Sequence, residues 1–125
     1  MILKIVEILY LSVFAHELGH FIVARLLNLK IVSVSIFMRP FICIFLNGTL
    51  YKIGFIPITG YVNVPDIYTQ SKWKKIIYFS AGIIMNTSLL LFSNDVFLQT
   101  INLYLILFNL LPFRKSDGRN ILEVL

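Results

Sequence analysis

Charge is what this chain has least of. Asp, Glu, Lys and Arg make up 14% of its 125 residues, while 58% are hydrophobic. Soluble domains carry about 25% charged residues, so there are too few here to solvate a surface. That scarcity excludes an ordinary soluble enzyme, and the wealth of apolar residues excludes a disordered tail. Cysteine is nearly absent as well. Cys43 stands alone, so no internal disulfide staples the fold and the redox compartment is left open. The length suits one domain. Acidic residues are few, six against eleven Lys and Arg, for a net charge of +5. The basic residues gather at the ends of apolar runs, with no basic stripe and interleaved aromatics, which argues for no nucleic acid among the partners. Cytoplasmic flanks of membrane helices collect Lys and Arg in this way, so the expected surroundings are a lipid bilayer.

What is present is long apolar runs. Residues 5–29, 74–93 and 96–113 approach the ~20 residues that a spanning helix needs. The expected fold class is therefore an α-helical integral membrane protein with three transmembrane helices, in one domain over 1–125. Between the first two helices, residues 30–64 read as a membrane-associated β-hairpin or sheet. Lys30 to Ile36 alternates apolar and polar residues, the period of a half-buried strand. Asn47-Gly48 between two apolar runs is a strong hairpin signal. Residues 114–125 are left as a cytoplasmic turn and short tail. Arg25 and Lys30 close the first helix, Lys72, Lys74 and Lys75 precede the second, and Arg114, Lys115 and Arg119 follow the third. Placing these clusters on one side predicts a multi-pass protein of the cell membrane, amino terminus outside and carboxyl terminus cytoplasmic. A cleaved secretory signal is the rival reading of the start, but Glu7 interrupts its apolar core and Lys4 alone is a weak basic region.

The first apolar run contains His16-Glu17-Leu18-Gly19-His20. Residues i and i+4 share a helix face, so both imidazoles can reach one metal ion. Glu17 is then placed to take a proton from water near the metal instead of binding the ion. Three ionisable groups within five residues of an apolar helix imply function, since each costs about 2.5–3.5 kcal/mol at mid-bilayer. The plainer alternative is a polar contact between helices. Catalytic zinc takes three protein ligands and leaves a fourth position open. Among the few acidic residues, Asp117 is preferred as the third, standing just beyond Pro112 in a turn that Gly118 permits. The plainer alternative, less favoured by the spacing, is that Asp117 caps a helix over 119–124.

In these residues the chain resembles the site-2 protease family of intramembrane zinc metalloproteases. The resemblance rests on His16-Glu17-Leu18-Gly19-His20 and on Asn109-Leu110-Leu111-Pro112 with Asp117-Gly118, which follows the family's N-x-x-P-x-x-x-x-D-G pattern. Gly60-Tyr61-Val62 after Pro57 is similar to its P-x-G-G-Y-V segment, and Ala81-Gly82-Ile83-Ile84-Met85-Asn86 to its A-G-P-x-x-N helix. The chain departs from the pattern at Thr59, Ile83, Ser116 and Arg114-Lys115. The resemblance implies one zinc ion on His16, His20 and Asp117, with Glu17 as general base. It further implies that Asn109 and Asn86 hold the backbone of the substrate.

The expected activity is hydrolysis of peptide bonds in or near transmembrane segments of a membrane protein or peptide. A substrate helix must unwind first, and an exposed edge of the hairpin could accept it as an added strand. The competing functions are a catalytically silent relative that binds transmembrane segments or regulates a membrane partner subunit, and a metal carrier. Retention of a general base argues against both. Trp73 reads as an interfacial anchor and Cys43 as a small packed residue.

Overall fold

A computed structural model describes residues 1–113 and 115–125. Arg114, one of the basic residues read above as marking the cytoplasmic side, lies outside the described residues. The chain opens with helix α1 (Ile2–Leu26), followed by strands β1 (Ser33–Ile36), β2 (Met38–Leu46), β3 (Thr49–Ile56) and β4 (Tyr61–Asn63). A short 3-10 turn (Pro65–Thr69) leads into α2 (Lys72–Phe92), α3 (Val96–Leu110) and α4 (Asp117–Val124).

This architecture corrects the expectation of three transmembrane helices. Among the described residues the fold is four helices with a four-stranded mixed sheet. Among the described residues one helix, Lys72–Phe92, is long and apolar enough to cross a membrane. Only 28% of its most apolar stretch is buried within the protein, unlike the core helix of a soluble domain. Helix α1 has the length but carries Lys4, Glu7, His16, Glu17, His20 and Arg25. Helix α3 has 15 residues, short of the ~17–25 required. It stops at Leu110 because the residue before a proline avoids helical geometry, which excludes Leu111 ahead of Pro112. The tail is not wholly irregular, since eight of its residues form α4.

The hairpin forms where the turn signal stands. Asn47 and Gly48 both take positive φ, 49° and 80°, the twist that a two-residue connection needs. The sheet order is β2-β3-β1-β4, with β1 parallel to β3 and antiparallel to β4. The chain passes from β1 to β2 over Gly54, where a Cβ would meet the Phe37 carbonyl oxygen at 2.8 Å. All nine residues of β2 are exposed, Cys43 among them, so the cysteine is not the packed residue expected. At the opposite edge, β4 faces the helices.

The core joins three layers. Ala24 of α1, Val34 of β1, Ile67 and the Tyr78–Phe79 pair of α2 pack together, and Ile121 and Val124 of α4 close over them. Helix α1 approaches α2 closely at Gly19, where a Cβ would lie 2.6 Å from the Ala81 carbonyl oxygen. That approach brings the histidine face of α1 against α2.

Candidate metal centre

The α-helical spacing of His16 and His20 places both rings on the buried side of α1, and their Nε2 atoms converge to 3.3 Å. Asp117 reaches them from the first turn of α4, its Oδ2 lying 3.1 Å from His16 Nε2 and 3.2 Å from His20 Nε2. Two imidazole nitrogens and a carboxylate this close hold together only around a proton or a cation. Tetrahedral zinc with bonds of about 2.0–2.1 Å sets its ligand atoms about 3.3 Å apart. The three contacts therefore match three vertices of such a site and leave the fourth open. Burial alone would raise the Asp117 carboxyl, but the hydrogen bonds from His16 and His20, helped by the imidazole charges, hold it down at about 2. The carboxylate form is thus favoured near neutral pH.

The other face of each imidazole is also tied. His20 Nδ1 donates to the Tyr78 carbonyl oxygen at 2.9 Å, and His16 Nδ1 donates to Asn86 Oδ1 at 2.6 Å. A main-chain carbonyl can only accept, so a neutral His20 keeps its hydrogen on Nδ1 and its lone pair on Nε2, aimed at the metal position. Such partners orient metal ligands and raise their basicity. Gly82 makes room for the His16 ring, since a Cβ there would lie 2.5 Å from ring atoms.

Asp117 faces the histidines because Ser116, not Asp117, caps α4. The Ser116 side chain accepts from the Arg119 amide at 3.2 Å. The turn is made at Lys115, with φ of 66°, while Gly118 serves a different need from the one expected. A Cβ on Gly118 would strike the carbonyl oxygens of Leu110 and Asn109, so glycine lets α4 pack onto the end of α3.

Glu17 lies on the wall of a cavity of about 820 Å³ that is also lined by His16, His20 and Asp117. Gly60 presses on it, a Cβ there falling 2.9 Å from Glu17 Cγ and 2.6 Å from the Ser35 carbonyl oxygen. Asn109 borders the same cavity and donates to the Leu105 carbonyl at 2.9 Å. Asn86 is fully buried, and its amide is taken up by His16, Ser12 and Asn102. Strand β4 contributes Tyr61, Val62 and Asn63 to the cavity wall, so the sheet edge at the site is β4, three strands away from the hairpin edge β2. Sequence reasoning missed the Tyr78 carbonyl, which no side-chain pattern could reveal. It also missed Ser12 and Asn102, although an amide within an apolar run was a visible signal.

A buried histidine pair and a carboxylate brought from a distant helix thus form a group able to hold a metal ion, with a glutamate on the adjoining cavity. The chain belongs to peptidase family M50, whose family model matches residues 4–97. It is 34% identical over 92 residues to a candidate zinc metalloprotease of Fusobacterium nucleatum, covering 65% of this chain and 27% of that protein. A candidate zinc metalloprotease of Helicobacter pylori is 41% identical over 63 residues, or 48% of this chain and 18% of the relative. One from Borreliella burgdorferi is 30% identical over 107 residues, 69% of this chain and 24% of its own length. The chain thus spans about a quarter or less of the length of these relatives.

Proposed function

We propose that this chain is a zinc metalloendopeptidase that hydrolyses peptide bonds in or near membrane-embedded segments. The observation that carries this reading is the convergence of His16, His20 and Asp117 within 3.3 Å of one another, with Glu17 on the same cavity. Zinc bound there would polarise the scissile carbonyl and lower the pKa of water. Glu17 takes the proton from the attacking water and passes it to the leaving amine. Asn86 and the Tyr78 carbonyl keep both imidazoles turned toward the ion. Asn109, which lines the same cavity, would hold the backbone of the substrate.

The proposed substrate is a transmembrane protein or peptide. The exposed apolar surface of α2 supports residence in a lipid bilayer. An unwound segment laid along β4 would find main-chain partners beside the metal ligands. Helix-breaking residues near the cut should favour cleavage, and replacing them with Leu should slow it.

The test uses the chain in detergent and a model transmembrane peptide with Gly and Pro near its centre. The unmodified protein should hold one zinc and cut the peptide. Glu17→Gln should keep the zinc and lose about 10²–10⁴-fold in rate. Cleavage that survives Glu17→Gln would overturn the assignment of the base. Zinc retained without cleavage in the unmodified protein would favour the silent binder.

A further inference from the structure

Behind His16, three polar side chains meet where α1, α2 and α3 touch. Ser12, Asn86 and Asn102 are all 0% exposed. Such burial is costly for amides unless every donor and acceptor is paired, and here the pairing is directional. Asn102 Nδ2 donates to the Leu98 carbonyl at 2.9 Å and to Ser12 Oγ at 3.0 Å. Because the Leu98 carbonyl can only accept, the amide of Asn102 cannot be reversed, and its Oδ1 must face Asn86. Asn86 Nδ2 then donates to Asn102 Oδ1 at 2.8 Å and to the Ser12 carbonyl at 3.1 Å. Both of those partners are acceptors too, so Asn86 is left one orientation, with Oδ1 toward His16 Nδ1 at 2.6 Å.

We propose that Asn102, with Ser12, is a positioning residue for the metal site, setting the amide of Asn86 so that His16 carries its hydrogen on Nδ1 and presents Nε2 to the ion. Asn102 touches neither metal nor substrate. Were it apolar, one Asn86 hydrogen would lose its partner and the Ser12 carbonyl alone would hold the amide, so the turned form, which offers NH₂ to Nδ1 at the cost of that one remaining bond, becomes accessible. His16 would then have to move its hydrogen to Nε2, the atom that faces Asp117 and His20. A side chain of α3 thereby governs a ligand on α1 through an amide on α2. The inference rests on the metal reading above.

Zinc affinity of the full chain in detergent, measured by competition with a chromophoric chelator, tests it beside the visible spectrum of the Co²⁺-loaded protein. Asn102→Leu should weaken zinc about tenfold and change the Co²⁺ bands. In an Asn86→Ala background, with no amide left to turn, the same substitution should move the affinity by less than about twofold. Ser12→Ala, which keeps the main-chain carbonyl, should weaken zinc roughly threefold in the unmodified background only. Where Asn102→Leu does not fold, Ser12→Ala in the two backgrounds decides by the same comparison. Unchanged zinc affinity and Co²⁺ bands in the variants, or an equal loss with and without Asn86, would overturn the relay and leave the metal reading intact. An unmodified chain that takes up neither ion would overturn both.

Discussion

His16 and His20 would be ordinary buried histidines if only their own helix were considered. Their chemistry comes from what each ring nitrogen meets: Nδ1 a fixed acceptor, Nε2 the Asp117 carboxylate. Glycines decide whether the rings can occupy those positions. A methyl group at Gly82 would stand 2.5 Å from the His16 ring, and the ring is held from behind by Asn86, so it cannot retreat. Gly82→Ala should therefore cost about 1–3 kcal/mol of stability and weaken zinc tenfold or more, readable as a fall in Tm and in a metal titration. The histidine pair and Glu17 were legible in the sequence because i and i+4 on a helix share a face regardless of what surrounds it. Asp117 was legible only as one of two alternatives. A carboxylate two residues into a turn can cap a helix or leave it, and the presence of Ser116 as the cap is what releases Asp117 toward the histidines.

Between elements, a second electrostatic tie lies toward the other end of α1 from the histidines. Asp95, in the link between α2 and α3, caps α3 by accepting from the Phe97 and Leu98 amides and pairs with Lys4 of α1 at 2.6 Å. The bond with Lys4, with the two amides, lowers the Asp95 carboxyl below its ordinary value of 3.8. A carboxyl lowered by folding adds stability above its unfolded pKa, and that stability is lost as pH falls through the folded value. The stabilising contribution should thus be complete at neutral pH and fade below about pH 4. Asp95→Asn keeps a good cap but removes the charge. Thermal melts of this variant should depend less on pH below about 4 than those of the unmodified chain. Of the elements themselves, the hairpin was legible because Asn-Gly selects its turn locally. The sheet order was not, since the pairing of β1 with both β3 and β4 depends on residues separated along the chain.

Across the whole molecule, the proposed zinc would join residues about a hundred positions apart, α1 to α4. Any ion that binds only the folded chain adds to its stability, about 2.7 kcal/mol at a hundredfold excess over Kd. Removing zinc with a chelator should lower Tm and loosen the packing of α4 first, read by hydrogen exchange over 117–124. Asp117→Ala should melt at the lower temperature with or without zinc. A chain whose Tm ignores the chelator would place the metal outside its folding.

The sequence by itself determined the histidine face with Glu17 beside it, the hairpin turn and the membership of peptidase family M50. Each of these depends on spacings of a few residues, where covalent geometry leaves little choice. It misjudged the number of spanning helices, because apolar content alone does not tell lipid-facing surface from surface packed against a sheet or another helix. Tertiary structure decided which nitrogen of each histidine is free, why Gly118 is needed, and that β4 is the edge at the site. It also brought Ser12, Asn86 and Asn102 together from three helices. Contacts of that kind have no local signature, since buried polar groups are satisfied by whichever partners the packed helices bring within reach.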